Sequence, residues 1–240
     1  GQVIAGCDRF YGEPRWILEP GHYQVEFDAL AMTVKFTKVE DVVEHAGTAE
    51  DPFHVASLFD MVYLHQRIQP GRVNYVVMDN DIDMNGLKTE PIGRYSDDHE
   101  MDGTNRAFSG ILDGQGHEIS NLSITLDSRN EGGLFGRVAV GAPIKNFGLV
   151  DPTVQNIHPN GCRLGAVCGE LNGGTISYVY VVGNIDLKST HAQVASIAGE
   201  AANGFVRNCY STSDLEICYL GTKTDCYKGN EVAEMASTGE

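Results

Sequence analysis

Two clusters of acidic residues and histidines hold the side chains of this chain that could do chemistry. Residues 97–100 read Asp-Asp-His-Glu within a long polar stretch, and Asp113 and His117 flank the glycine-rich turn Leu-Asp-Gly-Gln-Gly-His. Carboxylates beside a histidine can serve as general acid and base, or can bind a cation. A solvated loop explains the same residues, because charged side chains are common in surface loops. Both interpretations stay open for the segment 97–117.

A third acidic segment imitates a calcium-binding loop. Residues 79–90 place acidic side chains at loop positions 1, 3, 5 and 12, where such a loop needs oxygen ligands. Met84, however, occupies the position that requires glycine for a sharp turn. We therefore expect Ile82 and Met84 to face the core, and Asp81 and Asp83 to face outward or to cap a turn. No metal site is predicted.

The short motifs of common enzymes and cofactor sites are missing. The chain has no Gly-x-Ser-x-Gly, no P-loop, no His-Glu-x-x-His, no dinucleotide fingerprint and no Cys-x-x-Cys pair. We therefore assign no catalytic residue and expect no bound cofactor.

The elements that must position these residues belong to a series of sequence repeats. Three units follow one another, and an equivalent glycine falls at positions 136, 169 and 199, so the period is 33 and then 30 residues. Such a period is typical of solenoids, whose coils bury their apolar faces only by stacking. Apolar residues alternate within each unit, and Val, Ile, Thr and Tyr are frequent. This pattern predicts an all-β fold, a parallel β-helix.

Equivalent residues of successive coils should form columns in the core. The alignment of the units predicts one column through Ile119, Ile144, Ile176 and Val206. Antiparallel hairpins in residues 130–215 would contradict this prediction.

Two of the six cysteines fall in apolar columns. Cys168 and Cys209 align with apolar residues of the neighbouring units, so we expect both thiols to be reduced and buried. Cys218 and Cys226 lie in the C-terminal tail and could form a disulfide. Cys7 follows Val-Ile-Ala-Gly, which looks like a bacterial lipoprotein cleavage box without its leader, and an ordinary strand cysteine is the alternative.

The units resemble GLUG repeats. The segments GGLFGRV with IKNFGLV, GAVCGELNGGTISYVYVVGNI and SIAGEAANGFVRNCYSTSDL carry the likeness, which extends over about residues 51–240. Leu134 matches the leucine of the Gly-Leu-x-Gly core, whereas Ala166 and Ile197 replace it in the next units. The resemblance implies an exported bacterial surface protein, such as an adhesin, with a right-handed β-helix and no agreed catalytic residues. Peptidases that carry such repeats owe their activity to a zinc motif that this chain lacks.

The preceding residues differ in kind from the repeats. Residues 1–45 predict a small antiparallel β segment, which is an edge module or the end of an upstream domain. Residues 46–70 predict a linker and a capping helix, residues 71–217 the β-helix, and residues 218–240 a tail.

One short helix is predicted over residues 58–68. Its apolar stripe consists of Val55, Leu58, Phe59 and Val62. Ser57 and Asp60 resemble a capping box, and Pro70 with Gly71 ends the helix. Because an open end of a β-helix exposes apolar surface and unpaired backbone, we expect this helix to act as a plug, with Phe59 in the core.

Composition excludes several classes of partner. The net charge of −16 argues against nucleic acid, whose phosphates attract Lys and Arg, and against anionic lipid. No apolar run approaches the ~18 residues that a membrane-spanning helix needs.

The sequence therefore predicts a non-catalytic, monomeric fragment of an exported surface protein, located outside the cell or on its surface. It would act as a stalk or as an adhesive β-helix that binds glycans or surface proteins, and Tyr178 and Tyr180 could stack on sugar rings. The alternative is a polysaccharide lyase or glycoside hydrolase of β-helix shape that uses acidic residues near 97–117. Such an enzyme must neutralise an acidic substrate with cations, and the repeats contain few.

Overall fold

A computed structural model describes the chain in two units, Gly1–His45 and Ala46–Glu240. The described residues are 2–5, 22–28, 33–40, 45–68, 72–93, 107–126, 131–157, 163–189, 193–212, 218–219, 222–223 and 235–236. Four sequence predictions fall wholly or partly outside them: the acidic stretch 97–100, the lipid-anchor motif at Cys7, the helix stop at Pro70 and Gly71, and the pairing of Cys218 with Cys226, of which Cys226 lies outside.

The unit Gly1–His45 contains a small antiparallel sheet. Its central strand Thr33–Glu40 lies between Gln2–Ala5 and His22–Asp28. Lys35 and Glu26 face each other across two of these strands in an exposed ion pair of 3.2 Å.

The unit Ala46–Glu240 is a parallel β-solenoid of about three turns. The largest sheet runs, in spatial order, through Met235–Ala236, Phe205–Arg207, Thr175–Val182, Pro143–Val150, Gly110–Asp113, Asn74–Met78 and Phe53–Val55. Ile82–Asp83, Glu118–Ser120 and Tyr210–Ser211 also belong to it. The second sheet consists of Asp186–Ser189, Thr153–Asn156, Ser123–Leu126 and Lys88–Thr89. The third sheet consists of Phe135–Val138, Cys168–Asn172 and Ala198–Ala202, and a fourth pairs Arg163–Gly165 with Gln193–Ala195. Among the described strands, only Met235–Ala236 joins these sheets antiparallel, and Cys218–Tyr219 pairs separately with Thr222–Lys223.

We call residues 110–138, 143–172 and 175–202 the first, second and third turns. Phe135 of the first turn pairs with Cys168 of the second, and Cys168 pairs with Ala198 of the third, which confirms the period of 33 and then 30 residues. Inward-facing aliphatic and aromatic side chains of all three turns form one buried cluster. Each fully buried aliphatic side chain contributes about 1.5–3 kcal/mol to folding, so the stacked turns stabilise one another.

One predicted column is partly wrong. Ile144, Ile176 and Val206 stack as expected, but the residue that pairs with Ile144 from the first turn is Leu112. Ile119 pairs with Leu149 instead. The reason is that Ile119 lies after the bend of the first turn, whereas Ile144 lies before the equivalent bend of the second turn, so the predicted column joined residues from opposite sides of the bend.

Three successive layers of the largest sheet bend at one residue with a left-handed backbone. Asn146, Tyr178 and Asn208 occupy equivalent positions and have φ angles of 61°, 56° and 52°. The bend lets Ile144 and Phe147, which are three residues apart, both face the core. Asparagine tolerates this conformation better than other non-glycine residues, whereas a bulky aromatic residue there is an outlier.

The two cysteines of the turns are buried and free, as predicted. Cys168 stacks between Phe135 and Ala198, and Cys209 precedes Tyr210 as Val179 precedes Tyr180 in the turn before. Burial raises the pKa of both thiols, so they behave as small apolar residues.

The single described helix, Leu58–Arg67, begins where the sequence predicts, and most of the predicted apolar stripe faces the core: Val55 is buried, and Leu58 and Val62 are partly buried against it. Ser57 accepts a hydrogen bond from the Asp60 amide and caps the helix. Met61 and Leu64 are buried in the core, whereas Phe59 is 62% exposed. The prediction of a buried Phe59 is therefore wrong, because the helix turns its Met61–Leu64 side inward. The role of the helix as a plug stays a prediction.

Candidate ligand-binding groove

One outward-facing column of the largest sheet carries an unusual set of side chains. Glu118, Gly148, Tyr180 and Tyr210 are successive members of this column. A Cβ atom on Gly148 would lie 2.3 Å from the Tyr180 ring, so the ring covers the space that glycine leaves open. The Tyr180 hydroxyl donates a hydrogen bond to Oε1 of Glu118. Tyr210 stacks on Tyr180 with ring centroids 5.4 Å apart and planes at 13°. The Tyr180 ring is thereby fixed between Gly148, Glu118 and Tyr210.

Electrostatics at Tyr180 follow from this packing. Partial burial and the hydrogen bond to the Glu118 carboxylate raise the pKa of Tyr180 to about 12. Both effects disfavour the phenolate, because it would be poorly hydrated and would lie beside another negative charge. Tyr180 is therefore a neutral hydrogen-bond donor, locked in place, and is not a general base.

A groove of about 580 Å³ opens beside this column and crosses all three turns. Its lining consists of Asp113, Gln115 and Gly116 from the first turn, Asn146 and Phe147 from the second, and Tyr178 and Tyr180 from the third. Its volume lies within the range of about 300–1,000 Å³ that is usual for small-molecule sites. Aromatic rings and side-chain amides thus line one open, shallow groove.

Tyr178 is an exposed member of the groove and its backbone is strained. Its side chain is 61% exposed, and its φ of 56° lies in the left-handed region. An aromatic residue in this region costs about 1–2 kcal/mol, and so much exposure leaves little packing energy to offset the cost. Residues held in such conformations cluster at binding and catalytic sites.

Asp113 is fixed by its neighbours within the groove. Lys145 lies 3.0 Å from Oδ2, Asn146 donates to Oδ1 over 2.9 Å, and the amide of Gln115 donates to the same oxygen over 3.0 Å. Burial alone would raise the pKa of Asp113, but these hydrogen bonds and the Lys145 charge outweigh it and lower the pKa. The carboxylate is therefore ionised, and its charge is compensated by Lys145.

His117 does not join Asp113, although the sequence places them at one turn. Its Nδ1 lies 3.0 Å from Oδ1 of Asp81, and the same oxygen accepts a hydrogen bond from the Glu118 amide. The Glu118 amide is the larger cause, and His117 the next, of the lowered pKa of Asp81. No hydrogen bond or ion pair between the described atoms joins Asp113 to His117. They are not an acid–base pair.

The segment that resembles a calcium loop does not converge on a point. Asp79 contacts His54 at 2.9 Å, whereas Asp83 accepts hydrogen bonds from the Asn85 amide and from Asn121, both at 2.8 Å. Ile82 and Met84 face the core, which confirms that part of the prediction. Within the described ranges, no group of three or more His, Cys, Asp or Glu side chains is placed to hold a metal ion.

Sequence reasoning missed a charged cluster on the third sheet. Arg137, Glu170 and Glu200 occupy one column, and Arg163 and Glu131 complete the cluster. Glu170 accepts hydrogen bonds from Arg137 at 2.7 Å and from Arg163 at 2.9 Å. Burial is the main cause that raises the pKa of Glu131. The spacing of 33 and 30 residues in this column is the signal that could have revealed it.

The groove itself was only partly foreseen. Tyr178 and Tyr180 were named as sugar-stacking candidates, and Tyr178 does face outward. Glu118 and Gly148 were missed, although the column that joins them to Tyr180 follows from the register of the turns. The fold and the groove together define a parallel β-solenoid protein with an aromatic, amide-lined groove on its largest sheet.

Part of this chain is similar in sequence to a very large protein. Halomucin from Haloquadratum walsbyi is 33% identical over 148 residues, which covers 58% of this chain. The chain spans only 2% of the length of halomucin. No protein-family model matches the chain.

A solved structure gives a weaker likeness. A candidate immunoglobulin A1 protease from Bacteroides ovatus superposes with a TM-score of 0.46 and 16% sequence identity. The superposition covers 71% of this chain and 59% of that one. In the part of the chain that the structure describes, no helix is both long and apolar enough to cross a membrane.

Proposed function

We propose that this chain is a non-catalytic segment of an exported surface protein, with a β-solenoid that serves as a stalk and exposes a glycan-binding face. The observation that carries the proposal is the groove across three successive turns, with Tyr178 and Tyr180 on one side and amides on the other. The similarity to a stretch of halomucin, a surface-type protein, supports the cellular setting.

The stalk role rests on how the turns stack. Each turn pairs its strands with those of the next in the same register, from the Asn74–Met78 strand to the Phe205–Arg207 strand. Such stacking propagates by nearest-neighbour contacts, so further turns can be added without a new core. A long surface protein built in this way would hold its binding faces away from the cell.

The adhesive role rests on the chemistry of the groove. Tyrosine offers a flat apolar face with a polar rim, and side-chain amides both donate and accept hydrogen bonds. A sugar ring has the complementary pattern, with apolar C–H faces and a rim of hydroxyls. We propose glycans as the partners, without nucleic acid and without a bound cofactor.

The non-catalytic character rests on the occupied carboxylates. Asp113 is bound by Lys145 and Asn146, and His117 by Asp81, so neither is poised as a free acid or base in the groove. The alternative, a lyase or hydrolase that uses acidic residues near 97–117, makes a different prediction. Turnover of a polysaccharide that is abolished by Asp113→Asn or His117→Ala would favour the enzyme.

The remaining features of the proposal concern organisation. We propose a right-handed β-helix of GLUG-like repeats over residues 71–217, preceded by the small sheet of residues 1–45 and the capping helix within 46–70, and followed by a tail over 218–240. The chain would act as a monomer outside the cell or on its surface, and Cys7 is the candidate for a lipid anchor.

A glycan array tests the proposed function directly. The whole chain is applied with calcium and, separately, with a chelator, and reducing-end and unsaturated-product assays are run on the same polysaccharides. We expect retention on a subset of glycans in both conditions, without product formation. Retention on no glycan would contradict the adhesive role, and product formation would contradict the non-catalytic role.

A further inference from the structure

We infer that the groove selects an uncharged saccharide, with one sugar ring stacked on Tyr178 and its hydroxyls bound by the side chains of Gln115 and Asn146. This inference rests on the proposed glycan-binding function and specifies the ligand and the residues that recognise it.

The position of Tyr178 is the first argument. The equivalent residues of the neighbouring turns are Asn146 and Asn208, which suit the left-handed backbone that all three share. Tyrosine is the costly choice here, and its ring is 61% exposed instead of being packed in the core. A residue type that is unfavourable for its backbone conformation, and that gains no packing energy in return, is expected at a functional site. We therefore explain Tyr178 by the binding surface that its exposed ring offers beside the groove.

The amides of the groove are the second argument. Gln115 donates its side-chain N–H to the Met78 carbonyl, and Asn146 donates its side-chain N–H to Asp113. These bonds fix the orientation of both amides. The carbonyl oxygen Oε1 of Gln115 and Oδ1 of Asn146 accept no hydrogen bond from the described residues, so both are available to ligand hydroxyls. Fixed acceptors beside an aromatic face give orientation as well as affinity.

Charge is the third argument, and it separates neutral sugars from acidic ones. The lining of the groove includes the ionised carboxylate of Asp113 but no Lys or Arg side chain. Lys145, the cation that contacts Asp113, is already paired with it at 3.0 Å. An acidic sugar would bring a second carboxylate beside Asp113 without a cation to compensate it, which is unfavourable. An uncharged sugar meets no such cost.

Binding to short oligosaccharides of three charge classes tests the inference. Isothermal titration uses the whole chain with neutral hexasaccharides (glucan and mannan fragments), acidic ones (oligogalacturonate and hyaluronan fragments) and cationic ones (chitosan fragments). We expect at least one neutral hexasaccharide to bind and the acidic ones not to bind.

The decisive variant is Tyr178→Asn, because it removes the ring and also relieves the strained backbone. Its melting temperature should equal or exceed that of the wild type, while the affinity for the neutral hexasaccharide falls at least about tenfold. Tyr63→Ala is the matched control, because Tyr63 is another exposed tyrosine, 49% accessible, on the helix Leu58–Arg67. It should leave binding unchanged.

The outcomes separate the inference from the proposed function. Binding of acidic or cationic fragments only, or full affinity in Tyr178→Asn, would overturn the inference and leave the adhesive role standing. Binding of no saccharide of any class would overturn both.

Discussion

The hydroxyl of Tyr180 donates a hydrogen bond to Glu118, 62 residues earlier in the chain and two turns away. The bond exists because Gly148, the residue between them in the column, has no side chain to obstruct the ring. The absence of a side chain at Gly148 therefore allows a direct contact between the third turn and the first, and this contact fixes Tyr180 in the lining of the groove.

Replacing Glu118 should lower the pKa of Tyr180. Glu118→Gln removes the negative charge but not the partial burial, so the pKa should fall only part of the way from about 12 toward its ordinary value. Because folding raises the pKa of Tyr180, its protonated hydroxyl stabilises the folded state below about pH 10. This contribution is lost as the pH rises through about 12. Carbon-13 NMR of tyrosine-labelled protein measures the titration. Glu50→Gln, at an exposed site, is the control, and an unchanged Tyr180 pKa in Glu118→Gln would show that Glu118 does not act on it.

Two glycines of the second turn should respond differently to alanine. In Gly148→Ala the new Cβ meets the far end of the Tyr180 side chain, which can rotate away, so the fold should survive while the bond to Glu118 is lost. In Gly165→Ala it meets backbone atoms, with the Cys168 carbonyl oxygen at 2.2 Å and the Ile197 carbonyl oxygen at 2.5 Å. Backbone cannot give way so easily, and we expect a loss of about 1–3 kcal/mol or more.

Urea denaturation and the Tyr180 titration together check this pair of variants. Gly148→Ala should change the titration more than the stability, and Gly165→Ala the stability more than the titration. Equal losses of stability would contradict the register of the column.

The repeats allowed the solenoid to be predicted from sequence, because the units align by their glycines and by Ile144, Ile176 and Val206. The alignment failed for Ile119 because this residue lies after the bend of the first turn, whereas Ile144 lies before the equivalent bend of the second turn. Alternating apolar residues occur on both sides of the bend, so their spacing alone does not tell one side from the other.

The candidate site was harder to predict than the fold. Asp113 and His117 are close in sequence, yet they bind Lys145 and Asp81 on different sides of the turn. Conversely, Glu118 and Tyr180 are distant in sequence and meet only through the register of three strands. Side-chain direction at a bend decides such contacts, and the residue types alone do not contain it.

The helix Leu58–Arg67 offers a test of the corrected orientation. Phe59 is 62% exposed and Leu64 is 1% exposed. Phe59→Asp should therefore change the free energy of unfolding by less than about 0.5 kcal/mol. Leu64→Ala should cost about 2–5 kcal/mol, because it leaves a cavity in the core. Chemical denaturation distinguishes the two variants, and the reverse ranking would show that Phe59 packs in the core, as the sequence predicted.

The thiols of Cys168 and Cys209 should resist labelling in the native protein. Both are buried, and burial raises their pKa values, so the reactive thiolate is scarce. Peptide mass spectrometry after treatment with a bulky maleimide should find them unmodified in buffer and modified in urea. Rapid labelling of either thiol in buffer would mean that its column opens to solvent.

The charged cluster of the third sheet predicts a pH-dependent stability. Three glutamates share two arginines, and Glu131, whose side chain is 8% exposed, bonds to Arg137 and Arg163 only through Oε1. Among the described residues, Oε2 of Glu131 has no hydrogen-bond partner. Burial accordingly raises the pKa of this carboxyl, which means that the folded state binds its proton more tightly than the unfolded state does.

The sign of the effect follows from linkage. A carboxyl whose pKa is raised on folding stabilises the fold fully below its unfolded value of about 4.3, and that contribution is lost as the pH rises through the folded-state value. Glu131→Gln cannot ionise, and its carbonyl can still accept from Arg137. The variant should therefore gain stability relative to the wild type between about pH 4 and pH 7. Arg137→Met, which leaves three carboxylates beside one guanidinium, should cost about 3–5 kcal/mol at neutral pH. Urea midpoints at about pH 4 and about pH 7 measure both effects. An equal loss of stability at both pH values in Glu131→Gln would show that the Glu131 carboxylate has all of its hydrogen bonds in the folded state.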